Sequence, residues 1–409
     1  MPHTILRLNN GIKLIHKEVL SPVSHFGILL NAGTRDEGTN KEGVAHFVEH
    51  TLFKGTSHRK GYQILRRMED VGGDLNASTS KEETWIHSSF LTSDYERAIE
   101  LLADIFFYST FPEKELEKEK DVILEEIKYY KDSPAELIFD DFEEQVYKEH
   151  PLGRSILGTA KSVKSMSRED ILTFIKTQYT LNNLILSSVG NISTAKLMKW
   201  CNHYFGNEKI TDISRVREPF SHYKPSMEAV PKKTNQAHLM LGCPAYSLYE
   251  DKRTPFLLLT NLLGGQGLNT RLNMTIREKL GLAYTVEANY SQFSDTGLFT
   301  VYTGCGNDYW ERCIELVYKE FDKLRHEKLG TLQLHYAKKQ FIGQMAISNE
   351  MKLNEMLSIG RSGLFFEQVE TIEEVIDKIN AISSAQIQEV AQEILIRDNF
   401  SARIFMNRK

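Results

Sequence analysis

Two stretches about 213 residues apart, "SHFGILLNAG" (24–33) and "NQAHLMLGCPAYS" (235–247), open the same succession of elements. Each reads as a strand followed by a polar loop. An apolar helix comes next, "GVAHFVEHTLFKG" in the first half and "RTPFLLLTNLLGG" in the second. Strand-type alternation follows, "LNASTSKEETWIHSSFL" (75–91) and "LAYTVEANYSQFSDTGLFTVYTG" (282–304), and then the amphipathic helices "DYERAIELLADIFF" and "DYWERCIELVYKEFDKL". Each half closes with a further helix and strand. Two copies at so long a period indicate a duplicated domain rather than a solenoid. With 409 residues the chain exceeds what one core organises. The stretch "REPFSHYKPSMEAVPKKTNQ" (217–236), with three prolines, reads as the linker. The expected architecture is therefore α+β: two homologous domains, 1–216 and 237–409, each a mostly antiparallel sheet packed against helices.

Composition excludes several functions. The formal net charge is -5, with no basic stretch that would mark a nucleic-acid footprint. No apolar run approaches the roughly 20 residues of a membrane span. The opening "MPHTILRLNNGIKLIHKEVL" reads as a first strand pair rather than a signal peptide. The four cysteines, Cys201, Cys243, Cys305 and Cys313, show no C-x-x-C spacing. They are expected as free thiols in a reducing compartment, the cytoplasm.

The helix of the first half carries "HFVEH" (46–50). At 100° per residue, Val44, Phe47, Val48, Thr51 and Leu52 fall on one face and His46, Glu49, His50 and Phe53 on the other. Histidines four apart sit one turn above each other and can point at one ion. Imidazoles and carboxylates are zinc ligands, and Glu49 is left free to take a proton from a water that the metal acidifies. H-x-x-E-H is the inverzincin order, the zinc-protease signature with base and ligands reversed. Two core histidines on an ordinary helix would be expected on the apolar stripe, and these are not.

A catalytic zinc needs a third protein ligand. Residues 113–130, "EKELEKEKDVILEEIKYY", form a helix beginning after Pro112, with Leu116, Ile123, Ile127 and Tyr130 as its buried stripe. Glu119 and Glu126 are seven apart and flank that stripe; spacing does not choose between them. Glu113, Glu115, Glu117 and Glu125 read as solvated charge.

With these residues in view, the chain resembles the pitrilysin, insulysin and mitochondrial processing peptidase superfamily, in its short-subunit bacterial branch. The blocks "AGTRDEGTNKEGVAHFVEHTLFKGT", "GGDLNASTSKEETW", "VILEEIKYYKDSP", "HPLGRSILG" and "REKLGLAY" all match in order, over nearly the whole chain. The resemblance implies Glu126 as the third zinc ligand and Glu119 in a supporting role. It implies that the strand of "GGDLNASTSKEETWIHSSF" (72–90) is an edge that receives substrate as an added strand, with Asn76 and Ala77 near the scissile bond. It also implies that Arg277 and Tyr284 hydrogen-bond the carbonyl oxygen as charge develops on it. Read alone, "GGQGLNTRLNMTIREKLGLAYTV" (264–286) would be a glycine-rich turn before a helix, lacking the G-K-[ST] of a phosphate loop.

The second half carries no zinc motif, so one Zn2+ per chain is expected. In short-subunit relatives the catalytic half faces the inactive half of another chain. A homodimer with Arg277 and Tyr284 acting in trans follows, and a heterodimer with a related subunit stays open. The reading is a zinc metalloendopeptidase of unstructured peptides, with neither membrane nor nucleic acid as partner. The rival is a non-catalytic peptide-binding or assembly subunit; such relatives lose a ligand or the base, and here all four positions are present.

Overall fold

The computed structural model describes residues 3–213, 215–366 and 368–407. In chain order the strands of the first half are β1 (Thr4–Arg7), β2 (Lys13–Glu18), β3 (Val23–Leu30), β4 (Asp74–Thr79), β5 (Thr84–Leu91) and β6 (Leu184–Gly190). Those of the second are β7 (Met227–Pro231), β8 (Ala237–Ala245), β9 (Ala283–Gln292), β10 (Gly297–Cys305) and β11 (Ser401–Met406). The helices before β7 are α1 (Val44–Thr51), α2 (Gly61–Glu69), α3 (Tyr95–Tyr108), α4 (Glu113–Asp132), α5 (Pro134–Val146), α6 (Ala160–Ser165), α7 (Arg168–Gln178) and α8 (Thr194–Tyr204). After it come α9 (Arg253–Gly264), α10 (Trp310–His326), α11 (Thr331–Glu350), α12 (Lys352–Phe365), α13 (Ile372–Ala381) and α14 (Ser384–Ile394).

The chain divides into two compact units, each built on one sheet. The first sheet runs β1-β2-β6-β3-β5-β4 and the second β7-β11-β8-β10-β9. Apart from the extra β1, the two orders are the same. In each sheet one named pair is parallel, β2 with β6 and β7 with β11, and the others are antiparallel. The fold is thus α+β, two copies of one mostly antiparallel sheet covered by helices. The proline-rich stretch 217–236 contributes β7, because extended residues beside β11 satisfy their backbone groups in a ladder. β4 and β9 end their sheets and keep one free edge each.

Each unit includes one helix from the other half of the sequence. The first comprises Met1–Lys128, Arg154–Arg217 and Ile347–Thr371; the second comprises Tyr129–Gly153, Glu218–Ala346 and Ile372–Lys409. In the first unit α12 covers the sheet face opposite to α1 and α3, where Met356 and Ile359 pack with Ile15, Leu29, Trp85 and Ile185. The Ser187 hydroxyl donates to the Met356 carbonyl at 2.6 Å, and Arg361 Nε meets Glu83 at 2.6 Å. In the second unit α5 plays the same part, burying Ile138, Phe142 and Val146 against Met240, Leu298 and Phe405. An antiparallel sheet needs cover on both faces if both are apolar, and β3 and β10, central in their sheets, are buried almost throughout.

Close approach of α12 requires a glycine. A Cβ at Gly360 would lie 2.7 Å from the Trp85 ring and 2.9 Å from the Ser187 side chain. Gly360→Ala is expected to destabilise the first unit by about 1–3 kcal/mol, the range for overpacking a tight contact. Urea unfolding monitored by tryptophan fluorescence measures it.

Candidate metal centre

Helix α1 begins inside the protein, where its first amides cannot reach water. Glu37 answers them: Oε2 accepts from the Gly43 amide and Oε1 from the Ala45 amide, both at 2.9 Å. When ionised, this group also opposes the positive end of the macrodipole. Gly43 itself is left-handed, φ 86°, and a Cβ there would meet the Leu157 carbonyl oxygen at 2.7 Å. Gly158, φ 71°, faces it, with a Cβ 2.4 Å from the Glu42 carbonyl oxygen. The paired glycines let the "HPLGRSILG" loop close over the start of α1, with Arg154 donating to the Glu37 carbonyl at 3.2 Å.

With its start fixed, α1 buries Val44, Phe47, Val48 and Thr51, and also His46, whose side chain lies with those of Glu49 and His50 on the side of α4. α4 buries Leu116, Glu119, Ile123 and Ile127. Glu126 Oε2 then lies 3.8 Å from His46 Nε2 and 3.6 Å from His50 Nε2. All three candidate ligand atoms fall within 4.8 Å of one another, the one such group among the described residues. Tetrahedral zinc with bonds of about 2.05 Å needs ligand atoms roughly 3.3 Å apart, so small side-chain rotations suffice. The donor set fits zinc.

Glu119 lies elsewhere than Glu126. Its Oε2 is 3.2 Å from His50 Nδ1, and its Oε1 is 2.6 Å from Lys54 Nζ. A carboxylate on Nδ1 holds the proton there and presents a bare Nε2 to the metal position. The buried Nδ1 of His46 meets no hydrogen-bond partner among the described residues. Burial, then the neighbouring His50, pulls the His46 pKa down to about 3, so its ring is neutral, as a ligand must be. Burial raises the Glu49 carboxyl above its ordinary value, with Glu126 adding to this and Thr79 and His50 opposing it. A carboxyl moved up from 4.5 is a better proton acceptor near neutral pH.

The other expected site residues divide. Asn76 and Ala77 are on β4, which ends the first sheet, and the Ala77 amide donates to Asn76 Oδ1 at 2.8 Å. Arg277 and Tyr284 belong to the second unit. Arg277 sits in a π-helical segment, Asn273–Glu278, of the kind often found at functional sites. Its guanidinium carbon is 5.3 Å from the centroid of the Tyr284 ring, and Tyr284 is 78% exposed. Both line a cavity of about 500 Å³ together with residues of β9 and the glycine-rich loop 264–268.

Family-model comparison matches residues 14–160 to the insulinase domain of peptidase family M16 and residues 165–341 to the M16 inactive domain. An uncharacterized zinc protease of Bacillus subtilis is 31% identical over 394 residues, covering 95% of each chain. The chain belongs to peptidase family M16. An uncharacterized zinc protease of Rickettsia felis is 32% identical over 405 residues, 98% of this chain and 97% of its own. Among solved structures, an M16 inactive-domain protein of Pseudomonas fluorescens superposes with TM-score 0.92 at 21% identity, covering 100% of this chain and 98% of its own. A Helicobacter pylori protease superposes at 0.91 and 20%, covering 99% of each. No helix among the described residues is long and apolar enough to cross a membrane.

Sequence reasoning missed Glu37, Lys54 and Thr79. Lys54 had a signal, being four residues after His50 and hence on the same line of the helix surface. Glu37 had none, since only the fold places it under Gly43. Burial pushes the Glu37 carboxyl up to about 8, against the pull of the Ala45 and Gly43 amides and of Arg154. A carboxyl raised in the native state binds its proton more tightly there than when unfolded, so stability falls as pH climbs from about 5 to about 8. Urea midpoints across that range should fall with pH, and Glu37→Gln should flatten this part of the slope.

Proposed function

We propose that this M16 chain is a zinc-dependent endopeptidase that cleaves short unstructured peptides bound as an added strand. The observation that carries the reading is the donor set itself. Three ligand atoms converge, one histidine is oriented by a second carboxylate, and a glutamate remains unused on the same helix face. A structural zinc site would be closed by a fourth protein ligand and would leave no such carboxylate.

His46, His50 and Glu126 would hold the ion. When bound, zinc supplies Lewis acidity towards a carbonyl and makes water a nucleophile near neutral pH. Glu49 takes the proton of the attacking water on a carboxylate oxygen and passes it to the departing amide nitrogen. Its raised pKa suits both steps. The free edge of β4 supplies main-chain partners to an extended substrate, which gives affinity with little demand on sequence. The Asn76 side chain, now on the Ala77 amide, stands where a substrate carbonyl would accept. A folded protein offers no such extended segment and is a poor substrate.

Arg277 and Tyr284 donate to the carbonyl oxygen as it becomes an oxyanion, from the inactive half of a second chain in a homodimer with a closed chamber. Their mutual contact and exposure support the role. One zinc per chain is supported by α9, the counterpart of α1, whose residues include no histidine, aspartate or glutamate. Four buried, unbridged cysteines support a reducing compartment, the cytoplasm.

Glu49→Gln is expected to retain zinc and lower kcat by about 10²–10⁴-fold, the share of a positioned base. Metal content by atomic absorption and cleavage of a mixed peptide library measure the two; undiminished turnover would refute the mechanism. Tyr284→Phe is expected to cost about 3 kcal/mol of transition-state stabilisation, roughly 10²-fold in kcat, with little change in KM. Mixing Glu49→Gln chains with Tyr284→Phe chains should restore activity, because each mixed dimer assembles one intact site. Activity that stays at the level of the separate variants would exclude action in trans.

A further inference from the structure

The loop after α1 is held as firmly as the helix. Its three residues Leu52–Lys54 continue the chain as a 3-10 turn, and the loop is then tied down on several sides. The Ser109 hydroxyl donates to the Leu52 carbonyl at 2.9 Å, and the Thr110 amide donates to the Gly55 carbonyl at 3.0 Å. Gly55, φ 152°, turns the chain and bridges to Lys60, while Thr56 bridges to Ser109. Beyond the turn, the buried Asp104 of α3 accepts from the Thr56 hydroxyl at 2.9 Å and from Arg59 at 2.7 Å, and meets His58 Nδ1 at 2.6 Å. Lys54 therefore projects from a fixed backbone, unlike a surface lysine on a mobile loop.

Among the described residues its ammonium pairs with Glu119, whose side chain is only 9% exposed. The two oxygens of that carboxylate have separate tasks. Oε1 takes Lys54 at 2.6 Å, and Oε2 takes His50 Nδ1 at 3.2 Å. A carboxylate with one partner can rotate about its last bond; one with a partner on each oxygen cannot do so without losing one of them.

We propose that Lys54 is a positioning residue for the metal: it fixes Glu119, and through Glu119 it fixes the His50 ring with Nε2 turned to His46 and Glu126. This rests on the zinc-peptidase reading of the site. Two physical effects of the lysine oppose each other, and their signs separate them. As a nearby positive charge, Lys54 repels a cation, so its removal would tighten zinc binding. As the clamp on Glu119, it pre-orients a ligand, so its removal weakens zinc binding. Outer-shell partners of this kind commonly account for about 10–100-fold in metal affinity.

The test measures zinc affinity by competition with a chromophoric chelator, with the visible spectrum of the cobalt(II)-loaded protein as a report on ligand geometry. Melting curves of the metal-free proteins accompany both. Lys54→Met keeps the stem and removes the donor; it should bind zinc about 10–100-fold more weakly and shift the cobalt bands. Lys54→Arg, which keeps a charged donor, should recover most of the affinity and the wild-type bands. Adding Lys54→Met to Glu119→Gln should cause no further loss, because the clamp acts only through Glu119. Lys54→Met that binds zinc as tightly as wild type or tighter, or losses that simply add in the double variant, would overturn the proposal. If Lys54→Met melts early, the comparison of Lys54→Arg with Lys54→Gln decides it: equal affinity and equal cobalt spectra would overturn the clamp. Wild-type protein that takes up no zinc would overturn this proposal and the peptidase reading together, whereas zinc binding indifferent to Lys54 would overturn this one alone.

Discussion

The metal centre depends on how a buried helix end is satisfied. α1 is short, and its N-terminus lies under the 154–158 loop, where water cannot serve the first amides. Glu37 accepts from two of them, and Gly43 adopts the one backbone conformation that lets the loop and helix close on each other. The consequence is positional. A helix starting one residue earlier or later would turn its side chains by about 100°, carrying His46 from the α4 side into the core. The polar face of α1 meets Glu126 because the apolar face is registered against the sheet and the end is capped in place.

Burial then acts on the site in two opposite senses with one cause. It disfavours whichever form is charged, so it lowers the pKa of His46 and raises that of Glu49. The first effect suits a ligand, which must be neutral, and the second suits a base. Three carboxylates, Glu49, Glu119 and Glu126, share this small volume with two imidazoles and the ammonium of Lys54. A bound divalent cation together with one lysine would balance the three negative charges. The same three carboxylates without a cation would be a costly collection to keep together.

Duplication followed by divergence explains the rest of the arrangement. Both units keep the same strand order and the same free edge, β4 in one and β9 in the other. What differs is the helix over each sheet: α1 carries the candidate ligands His46 and His50, whereas α9 is apolar. The second unit put its polar residues elsewhere, in the π-helical segment and at the start of β9, where Arg277 stacks near Tyr284. The exchanged helices α5 and α12 give both sheets cover on their second face.

The sequence by itself determined the duplication, the α+β class and the polar face of α1, because these rest on periodicity within one element or on repetition of elements. It also narrowed the third ligand to Glu119 or Glu126, since both lie on one side of α4. Spacing went no further, because residues seven apart in a helix are nearly equivalent until a neighbour is placed beside them; the choice of Glu126 came from the family resemblance. Tertiary structure separated them by the crossing of α4 over α1, which sets Glu126 beside the two Nε2 atoms and Glu119 beside His50 Nδ1. The helix exchange was invisible for a similar reason: the apolar stripes of α5 and α12 say that each needs a partner and not which sheet provides it. The buried cluster of Arg35, Asp36, Glu82 and Arg217 joins loops far apart in the chain, and no local pattern announces it. Local chemistry is written along the chain, whereas the meeting of distant groups is decided by packing.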